Sequence, residues 1–288
     1  MLIQAFRARI QQYRARKFLR NSRYRPQLRT LPTGLLQYWT DTAHHEFPGI
    51  PQDPHFFWQA AEGLLQFFAC VRHSPHACAL PSRAADSVWH AWLRFSPMQL
   101  QQFCANWYGR DIPHIADDNM PGGIDAAVAA TLLAARHLEG MPAWSARIPG
   151  LFTLDQRLNM PGGYAYYASQ GAVYWQAIDA YGRSGGVPRK PETLTHDWYF
   201  QQGWISADDH QNARDEQRRR HDTGSSDLAA PLAVGSGAGA GAAITDDTHC
   251  KPVDAGSSDA HCADTSSSIS SCGSSCGSSC GSSCGSSS

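Results

Sequence analysis

The side chains best suited to chemistry are concentrated in residues 86–114, which carry a carboxylate, two imidazoles and a thiol. Asp86 and His90 are four residues apart, so they share one face of a helix. A carboxylate in that position can orient the imidazole, as carboxylates do beside metal-ligating histidines. We expect Cys104 and His114 to close on the same space. We therefore take Asp86, His90, Cys104 and His114 as candidate catalytic residues, with Cys104 as a nucleophile or all four as metal ligands.

A second set of metal-ligating residues lies near the C-terminus. Two His-Cys dipeptides precede Ser-Cys-Gly-Ser repeats, in which a cysteine recurs every four residues. Thiolates and imidazoles favour Zn²⁺ or Cu(I), and a flexible chain can fold around an ion as it binds. The alternative is a low-complexity tail whose cysteines reflect only expansion of a short repeat. The candidate ligands are His249, Cys250, His261, Cys262, Cys272, Cys276, Cys280 and Cys284.

A long apolar helix is predicted upstream of the first cluster. Asp53 can cap this helix, and Pro54 suits its first position. Apolar residues continue at helical spacing as far as Val71. Two cysteines and two histidines within residues 70–78 resemble a metal-ligand cluster. Their spacing does not match a zinc ribbon, and a buried free cysteine commonly packs as a small hydrophobe, so we favour packing here.

Two shorter helices are predicted to carry the candidate catalytic residues. Ser82 begins the helix that holds the Asp-His pair. Ser96 and Gln99 form a capping-box pattern around Pro97, and the helix that starts there can end at Gly109 in the left-handed conformation. Almost nothing joins the two helices, so we expect a tight corner or hairpin. The aromatic side chains of this stretch are typical of core packing, and a histidine among them can be purely structural.

This pattern resembles the glycine-rich domain-containing proteins, known from plants and from shorter bacterial relatives with Gly/Cys-rich tails. The resemblance spans roughly residues 50–170 and the composition of the tail. It implies a helical fold but no particular activity. Relatives usually have a second histidine two residues after the first, where this chain has Trp92. The matching residues are Asp86, Trp89, His90, Phe103, Cys104, Gly109 and His114, with the segments 125–139 and 148–163.

The aromatic segment 164–182 is compatible with a helix or with two short strands. We predict a helix over 170–181 and leave 164–168 open. An aromatic stripe can stack nucleic-acid bases, but no Arg or Lys interleaves this one, so core packing is favoured. The sequence Asn-Met-Pro-Gly-Gly occurs at 119–123 and again at 159–163. Because the flanking residues differ, we interpret these as two independent turns.

Charge divides the 288-residue chain, although its formal net charge is only −1. Nine basic residues precede residue 30, and the first acidic residue is Asp41. Residues 2–20 are predicted to form a basic amphipathic helix, of a kind that can lie on anionic lipid or approach nucleic acid. We favour the alternative, a solvated arm packed on the core by its apolar edge. The predicted common face comprises Leu2, Phe6, Ile10, Tyr13 and Lys17.

The predicted fold class is mainly α, with one helical domain and a disordered C-terminal tail. The basic N-terminal helix occupies residues 1–29, and the helical domain residues 30–205. A polar helix or linker follows at 206–221. From residue 222 onward Gly, Ser, Ala and Asp dominate, so this segment cannot bury enough apolar surface to offset its chain entropy.

Three classes of function compete. No secretory signal or membrane-spanning stretch is recognisable, so we expect a cytoplasmic protein with reduced thiols. We favour a non-enzymatic protein that binds an unknown protein partner, with a thiol-rich tail that holds a soft metal or exchanges disulfides. The second class is a metal- or cysteine-dependent enzyme centred on residues 86–114. The third is an adaptor to nucleic acid or a membrane surface through residues 1–29. No complete catalytic motif is present, which weighs against an enzyme.

Overall fold

A computed structural model describes residues 2–115 and 123–222, without the side chains of 2–5, 7, 8, 221 and 222. Within those ranges the chain forms ten α-helices and one two-stranded sheet, which confirms the mainly helical fold class. The helices are α1 Leu2–Asn21, α2 Arg25–Leu28, α3 Leu35–Glu46, α4 Pro54–His73, α5 Arg83–Phe95, α6 Pro97–Tyr108, α7 Ile124–Leu138, α8 Leu154–Leu158, α9 His196–Gln201 and α10 Ala207–Asp222. The strands are β1 Tyr164–Ser169 and β2 Ala172–Ala177.

The long helix α4 lies at the centre of the core. It begins as predicted, because Asp53 Oδ1 accepts hydrogen bonds from the backbone N–H groups of His55 and Phe56, both at 3.0 Å. Helices α1, α5 and α7 pack against it. The short helix α8 also approaches closely, since a Cβ at Gly63 would overlap the Leu154 side chain. Because α4 is buried on several sides, its own apolar residues occur on more than one face of the helix.

Helices α5 and α6 form the predicted corner. Ser82 caps α5 by accepting from Ala85 N–H at 3.2 Å, and Gly109 ends α6 in the left-handed conformation at φ 75°. The capping box at Ser96 is a wrong prediction, since its side chain makes no cap hydrogen bond. Ser96 is also the last cap of α5, where its N–H donates to Trp92 O at 2.9 Å. Ser96 is thus shared by both helices, and its non-helical backbone angles, φ −161° and ψ 83°, change the chain direction between them.

A buried carboxylate fixes the start of α5. Asp155 accepts hydrogen bonds from Ser82 Oγ at 2.6 Å and from the N–H groups of Arg83 and Ala84, both at 3.0 Å. It also accepts from Tyr164 N–H at 3.1 Å. A Cβ at Gly163 would lie 2.6 Å from Asp155 Oδ2, so only glycine permits this approach. Asp155 thereby joins α8, β1 and the helix that carries the candidate site.

The predicted helix over 170–181 is wrong, because residues 170–177 belong to an antiparallel β-hairpin and no helix follows them as far as residue 181. β1 and β2 pair in the register Tyr166 with Trp175 and Tyr167 with Tyr174. Gln170 and Gly171 form the turn with φ values of 48° and 74°. Two successive residues with positive φ match the twist of a tight hairpin. Aromatic residues also favour strands, where cross-strand rings pack directly against each other.

Helix α1 is present, but the expectation that its predicted apolar edge packs on the core is wrong. Phe6 and Tyr13 are 65% and 62% exposed. The inward face is instead formed by Ala15, Phe18 and Leu19, of which Ala15 is buried and the other two are partly buried against the core. Packing against α4 selects this narrow strip of small and apolar residues.

Other predicted elements agree with the structure, and some lie outside the part of the chain that it describes. The Ala-rich helix predicted at 125–139 is α7, and the polar helix predicted to begin near Ser206 is α10. Residues 119–122 of the first Pro-Gly-Gly turn and residues 223–288 of the predicted tail lie outside the described residues. The domain boundaries at 29/30, 205/206 and 221/222 remain predictions.

Candidate metal centre

Two separate segments bring three ligand side chains together. Asp86 and His90 lie one turn apart on α5. His114 comes from the loop after α6, 24 residues further along the chain. Because α6 leaves α5 at a sharp corner and ends at Gly109, the chain returns to the side of α5 that carries the pair. The structure thus brings together three of the four candidate catalytic residues.

The three donor atoms form a compact group. His90 Nε2 and His114 Nε2 are 3.1 Å apart. Asp86 Oδ1 lies 3.5 Å from each of those nitrogens. All three donor atoms lie within 4.8 Å of one another, and no other group of three or more His, Cys, Asp or Glu donors in the described ranges does so. Donors this close can share a single ion.

Glu46, at the end of α3, fixes the orientation of the His90 ring. Its Oε2 lies 2.9 Å from His90 Nδ1, and its other oxygen accepts a hydrogen bond from Arg94. Burial alone would raise the pKa of Glu46, but the hydrogen bonds from Arg94 and His90 outweigh it and lower that pKa. A charged Glu46 favours the tautomer in which His90 Nδ1–H donates to it, and in that tautomer the Nε2 lone pair is available for an ion shared with Asp86 and His114.

Glu46 was not among the predicted site residues, and its role was assigned to Asp86. The carboxylate predicted to orient His90 is instead a candidate ligand, 3.5 Å from His90 Nε2. Glu46 is 44 residues away in the chain, and no spacing rule connects it to His90. The clustering of His44, His45 and Glu46 was the only local signal, and it does not indicate a partner.

Aromatic rings line the sides of the cluster. The Trp89 ring meets the His114 ring edge-on with centroids 4.6 Å apart, and Phe47 meets His90 in the same manner at 5.9 Å. The guanidinium of Arg83 lies over the Phe47 ring, 5.2 Å from its centroid. The side chains of Asp86, His90 and His114 are 28–30% exposed, so solvent or a small ligand reaches the donors from one side.

Cys104 is not part of this cluster, which corrects the expectation that it closes on the same space as His114. It is fully buried in the aromatic core. Burial, together with the nearby charge of Asp111, raises the pKa of its thiol to about 12. A thiol of that pKa supplies almost no thiolate at neutral pH, and the thiolate is the nucleophile and ligand. Trp92 is likewise buried, with its ring 4.9 Å from that of Phe103, so a histidine there would replace a core side chain.

The remaining candidates divide into two groups. Burial raises the pKa of the thiols of Cys70 and Cys78, and no donor group in the described residues includes them. His76 instead stacks on Trp204 with ring centroids 4.1 Å apart. The tail candidates all lie outside the described residues: His249, Cys250, His261, Cys262, Cys272, Cys276, Cys280 and Cys284.

The fold and the site define a helical protein with a partly exposed group of two histidines and a carboxylate. A family model described as UCP032817-like matches residues 53–183, a range that includes all three donors. That family is uncharacterised and is not a glycine-rich domain family, so the resemblance to glycine-rich domain-containing proteins is wrong. No match was found among curated proteins or among solved structures. Within the described residues, no helix is both long and apolar enough to cross a membrane.

Proposed function

We propose that this protein binds a divalent transition-metal ion such as Zn²⁺ through Asp86, His90 and His114. The observation that carries the proposal is the convergence of three donor atoms from two chain segments within 4.8 Å. Two imidazoles and a carboxylate are common ligands of Zn²⁺ and of other first-row metals. The contact from Glu46 to His90 Nδ1 adds support, because metal-ligating histidines usually donate their second N–H to such a partner.

The number of ligands favours a site with an open position. Structural zinc sites usually have four protein ligands, whereas three leave room for water or another ligand. The donors here are about 30% exposed, which is compatible with an exchangeable fourth ligand. A metal-binding protein with an open position is therefore the function that the geometry supports best. A metal-dependent hydrolase is the second candidate, because an ion with an open position makes its bound water more acidic.

Metal titration of the full chain and its variants tests the proposal. We expect His90→Gln, His114→Gln and Asp86→Asn each to weaken Zn²⁺ affinity on the order of 100-fold, since each removes one of three ligands. Glu46→Gln should weaken it about tenfold or more, because that residue acts through His90. His45→Gln, an exposed histidine on α3, is the matched control and should leave the affinity unchanged. Equal affinity of all variants would overturn the proposal.

A thiol-rich tail that holds a soft metal or exchanges disulfides remains a separate proposal, supported by the residue types alone. Elemental analysis of the reduced full chain and of residues 1–244 separates the two metal sites. Metal retained by the shorter chain and lost in its His90→Gln variant supports the site on α5. Metal lost entirely on truncation favours the tail and contradicts a site in residues 86–114. Near-zero metal in both chains, after exposure to Zn²⁺, contradicts both proposals.

We also propose that residues 1–29 contact an anionic partner, either lipid or nucleic acid. The nine basic residues of this segment and the lack of any acid before Asp41 support this role. Folding α1 against α4 keeps the segment on the domain while its outward side stays exposed. The proposal that the chain binds a protein partner rests on the absence of a complete catalytic motif, and pull-down with the full chain as bait tests it.

A further inference from the structure

The outward face of α1 combines exposed aromatic rings with positive charge. Phe6 and Tyr13 are 65% and 62% exposed, the largest exposures of any aromatic residue in the described ranges except Tyr181. Five cationic side chains are also exposed on this helix, and four of them lie on the same side as the two rings. These four cations and the two rings form what we call the outward face. Its members are Phe6, Arg9, Tyr13, Arg16, Lys17 and Arg20.

Helical geometry places these six residues on one side. At 3.6 residues per turn, their positions fall within a sector of roughly 100° around the helix axis. The opposite side carries Ala15, Phe18 and Leu19, which pack against the core. The C-terminal half of the helix is therefore packed on the domain by this side, while the outward face is exposed from Phe6 to Arg20.

Nothing in the described residues neutralises this strip. None of the four cations forms an ion pair with a carboxylate in that part of the chain. The helix has no acidic residue in its first turn or anywhere else. Phe6 and Tyr13 are seven residues apart, about 10 Å along the axis, so cations flank both rings.

We propose that the outward face of α1 docks the folded protein onto an anionic lipid surface. Interfacial helices place Lys and Arg among anionic headgroups while apolar and aromatic side chains enter the boundary with the acyl chains. Phe6 has no hydrogen-bonding group, and a bilayer surface gives such a ring an apolar environment. A groove of duplex DNA instead presents polar base edges between charged backbones, which gives such a ring less apolar surroundings than the acyl boundary of a bilayer. This inference rests on the proposal above that residues 1–29 contact an anionic partner, and it is independent of the metal site.

Vesicle binding of the full chain tests the inference. We expect binding to vesicles of phosphatidylcholine with 30% phosphatidylserine, and weak or no binding to phosphatidylcholine alone. Replacing Arg9, Arg16, Lys17 and Arg20 together by Gln should weaken binding on the order of 100-fold, since each cation near an anionic surface contributes. The double variant Phe6→Ser/Tyr13→Ser should weaken it about tenfold through loss of ring insertion. All six side chains are exposed, so these variants should fold normally, which circular dichroism can verify.

A matched control removes the same number of positive charges from other parts of the surface. Three arginines and one lysine that are exposed elsewhere, Arg110, Arg147, Lys190 and Arg214, are replaced by Gln. This variant should bind vesicles nearly as the parent does, and equal losses in both quadruple variants would overturn the inference. A single-stranded and a double-stranded oligonucleotide are titrated in parallel. If the chain binds either oligonucleotide through α1 and does not bind vesicles, the inference of a lipid surface is overturned, while the proposal of an anionic partner stands. No binding that depends on α1 to any of these would overturn both.

Discussion

Burial determines which individual side chains of this protein can act in chemistry at neutral pH. Cys104 and His196 both lie against the core, and burial disfavours the charged form of each. For His196 the pKa falls to about 4, because burial and then the nearby charge of Arg136 oppose protonation. His196 is therefore neutral in the folded protein at pH 7, whereas it titrates near its ordinary value once the chain unfolds.

The free energy of unfolding should decrease as the pH falls, because His196 binds a proton more readily in the unfolded chain than in the folded protein. Since the pKa of His196 is lower in the folded state, the folded protein keeps its full stability with respect to this group above about pH 6.5. Between about pH 6.5 and pH 4 the unfolded chain binds the extra proton, so stability is lost across that interval. Replacing His196 by Gln removes this loss, which amounts to about 3 kcal/mol at most. Denaturant unfolding at several pH values measures the difference between the two curves.

The expected loss of stability comes from the buried position of His196 and not from the presence of a histidine, so a variant of an exposed histidine provides the control. His45→Gln alters an exposed side chain and should give a curve parallel to that of the parent. If the His196→Gln curve is also parallel to the parent curve from pH 7 to pH 4, the assigned environment of His196 is wrong.

Individual site residues can be predicted from the sequence where the candidate metal ligands are close together in the chain. The spacing of Asp86 and His90 on a helix requires only local geometry, and the structure places them on one face. Glu46 and the buried Arg136 could not be found in this way. Arg136 donates to the carbonyls of Ala143 and Ser145, and it is 1% exposed, although arginine is seldom buried so deeply. Such positions depend on how distant segments pack.

At the scale of elements, one carboxylate determines where the helix of the candidate site begins. Asp155 ties α8 and β1 to the first turn of α5, and Asp86 lies in that same turn. A carboxylate at a helix N-terminus also interacts favourably with the helix dipole. The position of the metal ligands is therefore coupled to a segment about 70 residues further along the chain.

Removing this carboxylate should destabilise the fold. Asp155→Ala leaves Ser82 Oγ and three backbone N–H groups without their acceptor in a buried place, which costs about 3–5 kcal/mol. Urea unfolding measures the change. The control is Asp208→Ala, which removes an exposed carboxylate from the first turn of α10 and should change stability by less than about 0.5 kcal/mol. Similar small effects of both variants would contradict the role of Asp155.

Elements with strong local signals are predictable, and those chosen by packing are not. The starts of α4 and α5 and the end of α6 follow from Asp53, Ser82 and Gly109, since caps act on adjacent backbone. The β-hairpin and the inward face of α1 were predicted wrongly. Helix and strand compete closely in an aromatic segment, and the hairpin prevails because Tyr166 and Val173 pack into the core. Likewise, α4 selects which strip of α1 is buried.

At the scale of the whole molecule, the C-terminal sequence should add nothing to cooperative unfolding. Residues 223–288 are dominated by Gly, Ser, Ala and Asp and contain no aromatic residue, so they can bury little apolar surface on folding. The denaturant m-value scales with the surface exposed on unfolding, so a chain that ends at Asp222 should keep the m-value of the full chain. Its midpoint of thermal unfolding should change by less than about 2 °C.

A chain of residues 22–288 provides the contrast, because it removes a segment with packed side chains. Without α1, Phe18 and Leu19 no longer cover α4, and apolar core surface is exposed to water. Burial of side chains of this kind contributes about 1.5–3 kcal/mol each when it is complete. We therefore expect a clearly lower midpoint for this chain, measured by the same thermal scan. A lower m-value on removal of residues 223–288 would mean that the tail packs on the domain, and the boundary predicted at residue 222 would then be wrong.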